Sequence, residues 1–357
     1  MIRTLASAAV LLAAAAPAIA QDLTGVAETL LNESGAPGAA VGLDCGAGFS
    51  EGVAGVRLEG GEAAVQPGDF WHMGSNTKAM TATLAARLVE QGVIAWDTTL
   101  GAALAGLDLQ IHPDLAEATL ADLLAHRGGV TANAGMLTAL RIAGADADRD
   151  VQADRLVYAE AVTSQPGGPR GAYLYSNAGY VLAALMLEQA AGAPYETLMR
   201  REVFGPLGMD GAGWGPPGEA GAEDQPRGHS GGLFGGLQPR EPGARADNPP
   251  ALNPAGRAHL PLADLADFLR AHADRPDGYL GADSWARLQT PPEGDYALGW
   301  GVREDGDLVH AGSNTMWFAR MLVDRETGCV AVAAVNMAGD AAPAATNAAL
   351  RTLIVDR

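Results

Sequence analysis

The sequence predicts an α+β fold in which one antiparallel sheet is assembled from both ends of the chain and a long helical section is inserted between its strands. Strand-like apolar stretches lie near both termini, at 38–58 and 307–336. Apolar residues at helical spacing dominate the middle, about residues 75–280. Strands from the two ends need one shared sheet to bury their faces. The division places the sheet part in residues 21–74 and 285–357 and the helical part in residues 75–284.

Taken in order, residues 1–20 read as a signal peptide. Arg3 is the positive start, Leu5 to Ala16 is a small apolar core, and Ala18-Ile19-Ala20 fits a small-x-small cleavage site. The run is too short to span a bilayer comfortably, and no cysteine follows it to carry a lipid. The expectation is a chain that begins at Gln21 and works in the periplasm or outside the cell, with no membrane anchor after cleavage. Gly38 to Cys45 and Gly52 to Leu58 read as a strand pair. A helix is expected over Ser75–Gln91, with Met80, Leu84 and Leu88 on one face and Gly92 as its stop. Further helical periodicity marks Thr119–Ala125, Asp154–Ser164, Asn177–Ala191 and Pro261–Ala273. Between Gly211 and Gly256, Gly and Pro crowd the chain and no core period is visible, which predicts a long irregular excursion forming one wall of a site. Asp307–His310, Met316–Asp324 and Cys329–Asn336 return to strand patterns, and Pro343–Val355 reads as a last helix.

The formal net charge is −19, and residues 1–20 carry one Arg and no acid, so the remainder carries −20. Such a surface repels nucleic acid and anionic headgroups, and neither is expected as a partner. The seven histidines are scattered, with no H-E-x-x-H and no paired-cysteine spacing, so no metal or cofactor is implied. The substrate is expected to be a small molecule or peptide, and the chain to act as a monomer.

The most informative residue is Lys78, the only lysine among 23 Lys and Arg. Arginine supplies positive charge equally well but keeps its proton, whereas a desolvated lysine can lose it. Lys78 stands three residues after Ser75 in Met73-Gly74-Ser75-Asn76-Thr77-Lys78; with nine serines among 357 residues, chance gives that placement about one time in forty. On a helix the two side chains share a face, so a neutral Lys78 could take the Ser75 proton. Ser75 would sit at the helix start, where free N–H groups favour developing negative charge.

Two other serines compete. Gly228-His229-Ser230-Gly231-Gly232 has the G-x-S-x-G spacing but lacks the strand before and helix after that a nucleophile elbow needs. Gly312-Ser313-Asn314-Thr315-Met316 repeats the Ser75 motif with methionine in place of lysine. Tyr175-Ser176-Asn177 opens a predicted helix, and His310-Ala311-Gly312 ends a predicted strand; a tyrosine can work as a general base where a nearby cation lowers its pKa.

The order S-x-x-K, Y-x-N, H-x-G resembles the penicillin-recognising serine hydrolases, in the branch of class C β-lactamases, D-alanyl-D-alanine carboxypeptidases, esterases and D-aminopeptidases. The resemblance continues through Leu123-Leu124-Ala125-His126-Arg127-Gly128-Gly129-Val130, Phe204-Gly205-Pro206-Leu207-Gly208-Met209, Asn253-Pro254-Ala255-Gly256, Asp264 to Leu269 and Leu298-Gly299-Trp300-Gly301, nearly the whole chain. It implies a β-lactamase/transpeptidase-like fold with the site between sheet and helices. It implies Ser75 as nucleophile, Lys78 as its proton acceptor and Tyr175 as proton shuttle. Asn177, His310, Gly312 and Ser313 would bind substrate, and the backbone N–H groups of Ser75 and Ser313 would form the oxyanion hole. The activity implied is acyl-enzyme hydrolysis of a peptide or ester, with a class C β-lactamase as the alternative and a non-catalytic penicillin-binding or sensor module as the second. The branch's β-lactamases usually carry K-T-G where this chain has His310, so a fixed cation for a β-lactam carboxylate is missing from the motif. In the family's sheet the strands holding Cys45 and Cys329 are antiparallel neighbours. Together with an oxidising compartment, this leads to an expected disulfide between the only two cysteines.

Overall fold

The structure is a computed structural model that describes residues 21–143, 150–232, 235–243 and 246–355. The signal-peptide reading, on residues 1–20, lies outside the described residues.

A six-stranded antiparallel sheet runs in the order Ser50–Gly55, Gly38–Asp44, Val330–Val335, Phe318–Val323, Leu308–Ser313, Gly301–Val302. The N- and C-terminal halves meet at its centre, where Ala39 pairs with Val335 and Asp44 with Val330. The central strand Val-Ala-Val-Ala-Ala-Val is buried along its length because its alternate side chains feed two cores. Val330, Val332 and Ala334 face inward; Ala331, Ala333 and Val335 face outward. Leu23, Ala27 and Leu30 at the start of the chain and Ala345, Leu350 and Leu353 of the helix Ala342–Val355 join the outer core. The helix Thr24–Ser34 ends in Gly35, whose φ of 67° lets its N–H reach the Leu31 carbonyl.

One correction concerns the division of the chain. The helix Leu262–Asp274 fell in the helical part, 75–284, by sequence. In the structure it packs on the sheet, against Gly38–Asp44, Phe318–Val323 and Val330–Val335. Its apolar stripe, Leu262, Leu265, Phe268 and Leu269, cannot announce which partner it covers.

The excursion is more ordered than its composition suggests. Gly213–Trp214 pairs with Ala258–Pro261, which pairs in turn with Phe70–His72, and Gly228–Gly231 pairs with Leu237–Arg240. Strands of two to four residues are too short to carry a readable period. The three-stranded sheet matters for the site because His72 is followed within three residues by Ser75, and Met73 N–H donates to the Ala258 carbonyl at 2.8 Å.

Cys45, just beyond Asp44, and Cys329, just before Val330, are joined in a disulfide with Cα atoms 4.1 Å apart. The Asp44–Val330 register continues outward to place them opposite one another.

Candidate active site

Ser75 lies in a short 3₁₀ turn, Gly74–Asn76, that feeds directly into the helix Thr77–Glu90. The turn is held from several sides. Thr77 Oγ1 donates to the Gly74 carbonyl at 2.7 Å and accepts from Ala258 N–H, while Asn76 Nδ2 donates to the Ala319 carbonyl. Gly74, Asn76, Thr77 and Lys78 are buried, and Ser75 alone in this run is partly open.

Lys78 is fully buried, with three oxygens around Nζ: Ser75 Oγ at 3.1 Å, Asn177 Oδ1 at 2.7 Å and the Ala255 carbonyl at 2.5 Å. Two of these can only accept, whereas the serine hydroxyl can also donate. A neutral amine satisfies all three by donating to Asn177 and Ala255 and turning its lone pair to the Ser75 proton. Burial drives the Lys78 pKa well below its ordinary 10.5, which favours that state.

Tyr175 completes the cluster. Its hydroxyl is within hydrogen-bonding reach of Ser75, and its ring centroid is 4.9 Å from Lys78 Nζ. Its pKa corrects the sequence argument that a neighbouring cation would depress it. Burial pushes the phenol up to about 12, only partly opposed by the hydrogen bond with Ser75. Tyr175 therefore stays protonated and can pass a proton only by receiving one as it gives one.

Sequence reasoning placed His126 only in a matching stretch and gave it no part in the site. Its carbonyl accepts Leu174 N–H at 2.8 Å and its Nδ1 accepts Ser176 N–H at 3.0 Å, so it grips the chain on both sides of Tyr175. Its ring centroid lies 4.3 Å from that of Tyr175 and 4.7 Å from that of Tyr296. His126 adopts a φ of 59°, left-handed for a non-glycine residue, which nothing in its local sequence demands. Burial, then the neighbouring Lys78 and His310, push its pKa down to about 2, so the ring is neutral.

Asn177 opens the helix Asn177–Ala191, capped by Ser176 Oγ accepting Gly179 N–H at 2.8 Å. Its Nδ2 donates to Asn133 Oδ1, which orients its carbonyl oxygen toward Lys78.

The strand Leu308–Ser313 runs beside the nucleophile turn. A Cβ on Gly312 would lie 2.0 Å from the Met73 carbonyl oxygen and 2.5 Å from Ser75 N, and a Cβ on Gly74 would lie 2.4 Å from Ser313 N. Only glycine at both positions allows the Ser75 and Ser313 backbones to approach this closely. Ser313 is exposed and its Oγ accepts Thr315 N–H, so no amine serves it. His310 is placed differently from the expectation that it meets substrate. It is buried, with Nε2 3.0 Å from the Tyr296 hydroxyl and Nδ1 2.9 Å from the Ala311 carbonyl. Burial, followed by Lys78, pushes its pKa down to about 3. Ser230 sits in the hairpin strand Gly228–Gly231, where its Oγ accepts from Arg240 Nε.

The β-lactamase family profile matches residues 23–356. Penicillin-binding protein 4 of Amycolatopsis lactamdurans is 29% identical over 328 residues, 87% of this chain and 83% of its own length. The octameric penicillin-binding protein homologue from Pyrococcus abyssi superposes with a TM-score of 0.75 at 20% identity, covering 94% of this chain and 78% of that one. A D-amino acid amidase from Ochrobactrum anthropi SV3, solved with L-phenylalanine amide, superposes with a TM-score of 0.73 at 22% identity, covering 94% and 98%. The chain thus belongs to the β-lactamase family, as a serine hydrolase of the β-lactamase fold.

Proposed function

We propose that this chain is a secreted acyl hydrolase that cleaves esters or amides lacking a carboxylate beside the scissile bond, D-amino-acid amides among them, through an acyl-enzyme on Ser75. The observation that carries the reading is the buried Lys78 amine, with two carbonyl acceptors and one hydroxyl neighbour. The proton of Ser75 Oγ passes to Lys78 Nζ as Oγ attacks the acyl carbonyl. The resulting oxyanion is held by the N–H groups of Ser75 and Ser313. Lys78 returns the proton through the Tyr175 hydroxyl to the leaving alcohol or amine, and the C–O or C–N bond breaks. Water then attacks the acyl-enzyme, giving its proton back along the same path, and Ser75 leaves reprotonated. Asn177 orients the amine and borders the groove. His310 supports Tyr296.

The absence of a carboxylate from the acyl donor follows from the third motif. A β-lactam or peptide carboxylate calls for a cation beside Ser313, and His310 offers a neutral ring with both nitrogens engaged inside the protein. The likeness to a D-amino acid amidase supports the amide class, and the disulfide supports an oxidising compartment.

Fluorophosphonate labelling followed by peptide mapping tests the nucleophile. The adduct is expected on Ser75 and is lost in Ser75→Ala. Labelling at full strength in that variant would refute the assignment. A kcat/KM for nitrocefin above that for p-nitrophenyl acetate or D-phenylalanine amide would favour the β-lactamase reading instead.

A further inference from the structure

Beneath the oxyanion segments lies a buried acid that no motif points to. Asp247, in the Gly/Pro-rich excursion, has a side chain only 1% exposed. Its Oδ2 is 2.8 Å from His72 Nε2 and 3.0 Å from Arg257 Nε; its Oδ1 accepts from Asn314 Nδ2 at 3.0 Å and Asn248 N–H at 2.8 Å. A carboxylate has about four lone-pair directions, and here each has a donor.

Three of the four donors lead to the reaction centre. His72 Nδ1 accepts Gly74 N–H at 3.2 Å, so the ring's Nε2 carries its proton toward Asp247, and Gly74 precedes Ser75. Asn314 follows Ser313; its Oδ1 accepts from Met316 and Trp317 N–H, which leaves its Nδ2 for Asp247 and the Ala246 carbonyl. Arg257 follows Gly256, which packs on the Gly74–Ser75 backbone: a Cβ there would lie 3.4 Å from Ser75 N. The next residue back, Ala255, supplies the carbonyl that accepts from Lys78.

We propose that Asp247 is the positioning residue of the oxyanion hole, one carboxylate that ties together the three backbone segments around Ser75, Ser313 and Ala255. It touches no substrate. It sets the spacing of the two oxyanion donors and the height of the Lys78 acceptor, because each segment's polar link ends on the same two oxygens. The proposal rests on the acyl-enzyme reading above.

Asp247→Asn keeps the volume, removes the charge opposite Arg257 and sets one N–H₂ against another donor. Four measurements on the full chain decide the matter: kcat and KM on the best ester, affinity for a boronic acid that forms a tetrahedral adduct with Ser75, stoichiometry of fluorophosphonate labelling, and melting temperature. Misplacing reacting groups slightly costs about 10² in rate. The expectation is a kcat lower by about that factor, KM within about threefold, boronate affinity weakened in parallel with kcat, and labelling that still reaches one per chain. A merely structural acid would lower the melting temperature and leave kcat and boronate affinity within about twofold, and that result overturns the proposal. Should Asp247→Asn fail to fold, Asn314→Ala removes the Ser313 arm, together with the Asn314 bonds to Ala246, Met316 and Trp317, and is expected to cost about tenfold in both kcat and boronate affinity. An unchanged kcat in Asn314→Ala would equally overturn it. A wild type that neither labels at Ser75 nor turns over any ester or amide refutes the acyl-enzyme reading itself, and this proposal with it.

Discussion

At the residue scale the chemistry turns on whether Lys78 carries a proton. Its partners are two carbonyl oxygens and a hydroxyl, and no carboxylate pairs with it among the described residues, so nothing compensates a buried charge. Lys78→Arg preserves charge and removes the acceptor. The expected loss is on the order of 10²–10⁴ in kcat, similar to Lys78→Ala. An arginine variant that keeps more than about half of wild-type kcat would show that charge alone suffices. The same reasoning fixes the pH profile. Activity needs the neutral amine, so kcat/KM should fall with decreasing pH as Lys78 takes up its proton, at a pH well below 10.5. Tyr175 must keep its proton, and with a pKa pushed up to about 12 it holds that proton throughout the range in which the enzyme can be assayed. The profile should therefore rise to a plateau and show no alkaline limb before about pH 11. A bell with a descending limb near pH 9 or 10 would mean that Tyr175 loses its proton there and that burial does not hold its pKa up as described.

At the element scale, the closed ends of the sheet are where sequence and structure can be compared most directly. The two central strands come from opposite ends of the chain, and the disulfide joins them just beyond the last register pair, Asp44–Val330. Cutting it in Cys45→Ser/Cys329→Ser lets the unfolded chain open a loop of 284 residues. That should cost about 2–5 kcal/mol of stability. The bond lies at the Asp44–Val330 end of the sheet, opposite the Val335–Phe318–Ser313 end that meets the Ser75 turn, so kcat at 25 °C should stay within about twofold. A fall in kcat parallel to the fall in stability would contradict this separation. Long periodic elements were legible in the sequence: Asn177–Ala191 carries its own cap in Ser176 and its own stop in Gly192, and Val330–Val335 has no polar residue to mislead. The nucleophile turn was legible because a lone lysine three residues from a serine is a local signal. What stayed hidden depends on partners far along the chain. The Ala255 carbonyl has no side-chain signature. His126 acts by gripping residues 174 and 176 from 50 positions away. Asp247 sits in a stretch whose only visible property is its Gly and Pro content. The packing of Leu262–Asp274 on the sheet was hidden for a related reason, since an amphipathic stripe states that a face is buried and not what covers it.

At the scale of the whole molecule, stability should depend steeply on pH because several imidazoles are buried without a proton. Burial, first among the causes in each case, pushes His126 down to about 2, His272 and His310 to about 3, and His259 to about 4. In the unfolded chain each would take up a proton near pH 6.5. Between those values the unfolded state binds more protons than the folded state, so stability is lost as pH falls below about 6.5, by about 1.4 kcal/mol per pH unit for each ring. Glu51 acts in the opposite sense. Its carboxyl, raised by burial to about 7, binds a proton in the folded state before it would in the unfolded one, and so adds stability as pH falls from about 7 toward 4.5. These four rings against Glu51 leave a loss of roughly 3–4 kcal/mol between pH 7.5 and pH 5.5, to which His229, also pushed down by burial, adds and from which Glu188, raised by burial, subtracts. For a chain of this size that corresponds to a drop of roughly 5–10 °C in melting temperature. The overall charge works the other way, since a strongly acidic protein repels itself less as it approaches its pI of about 4.6. Moderate salt screens that term and leaves the buried rings almost untouched. Melting curves in about 0.3 M NaCl at pH 7.5, 6.5 and 5.5 should therefore show a decline concentrated below pH 6.5. A melting temperature that is flat or rises over that interval would show that these imidazoles gain their protons inside the folded chain.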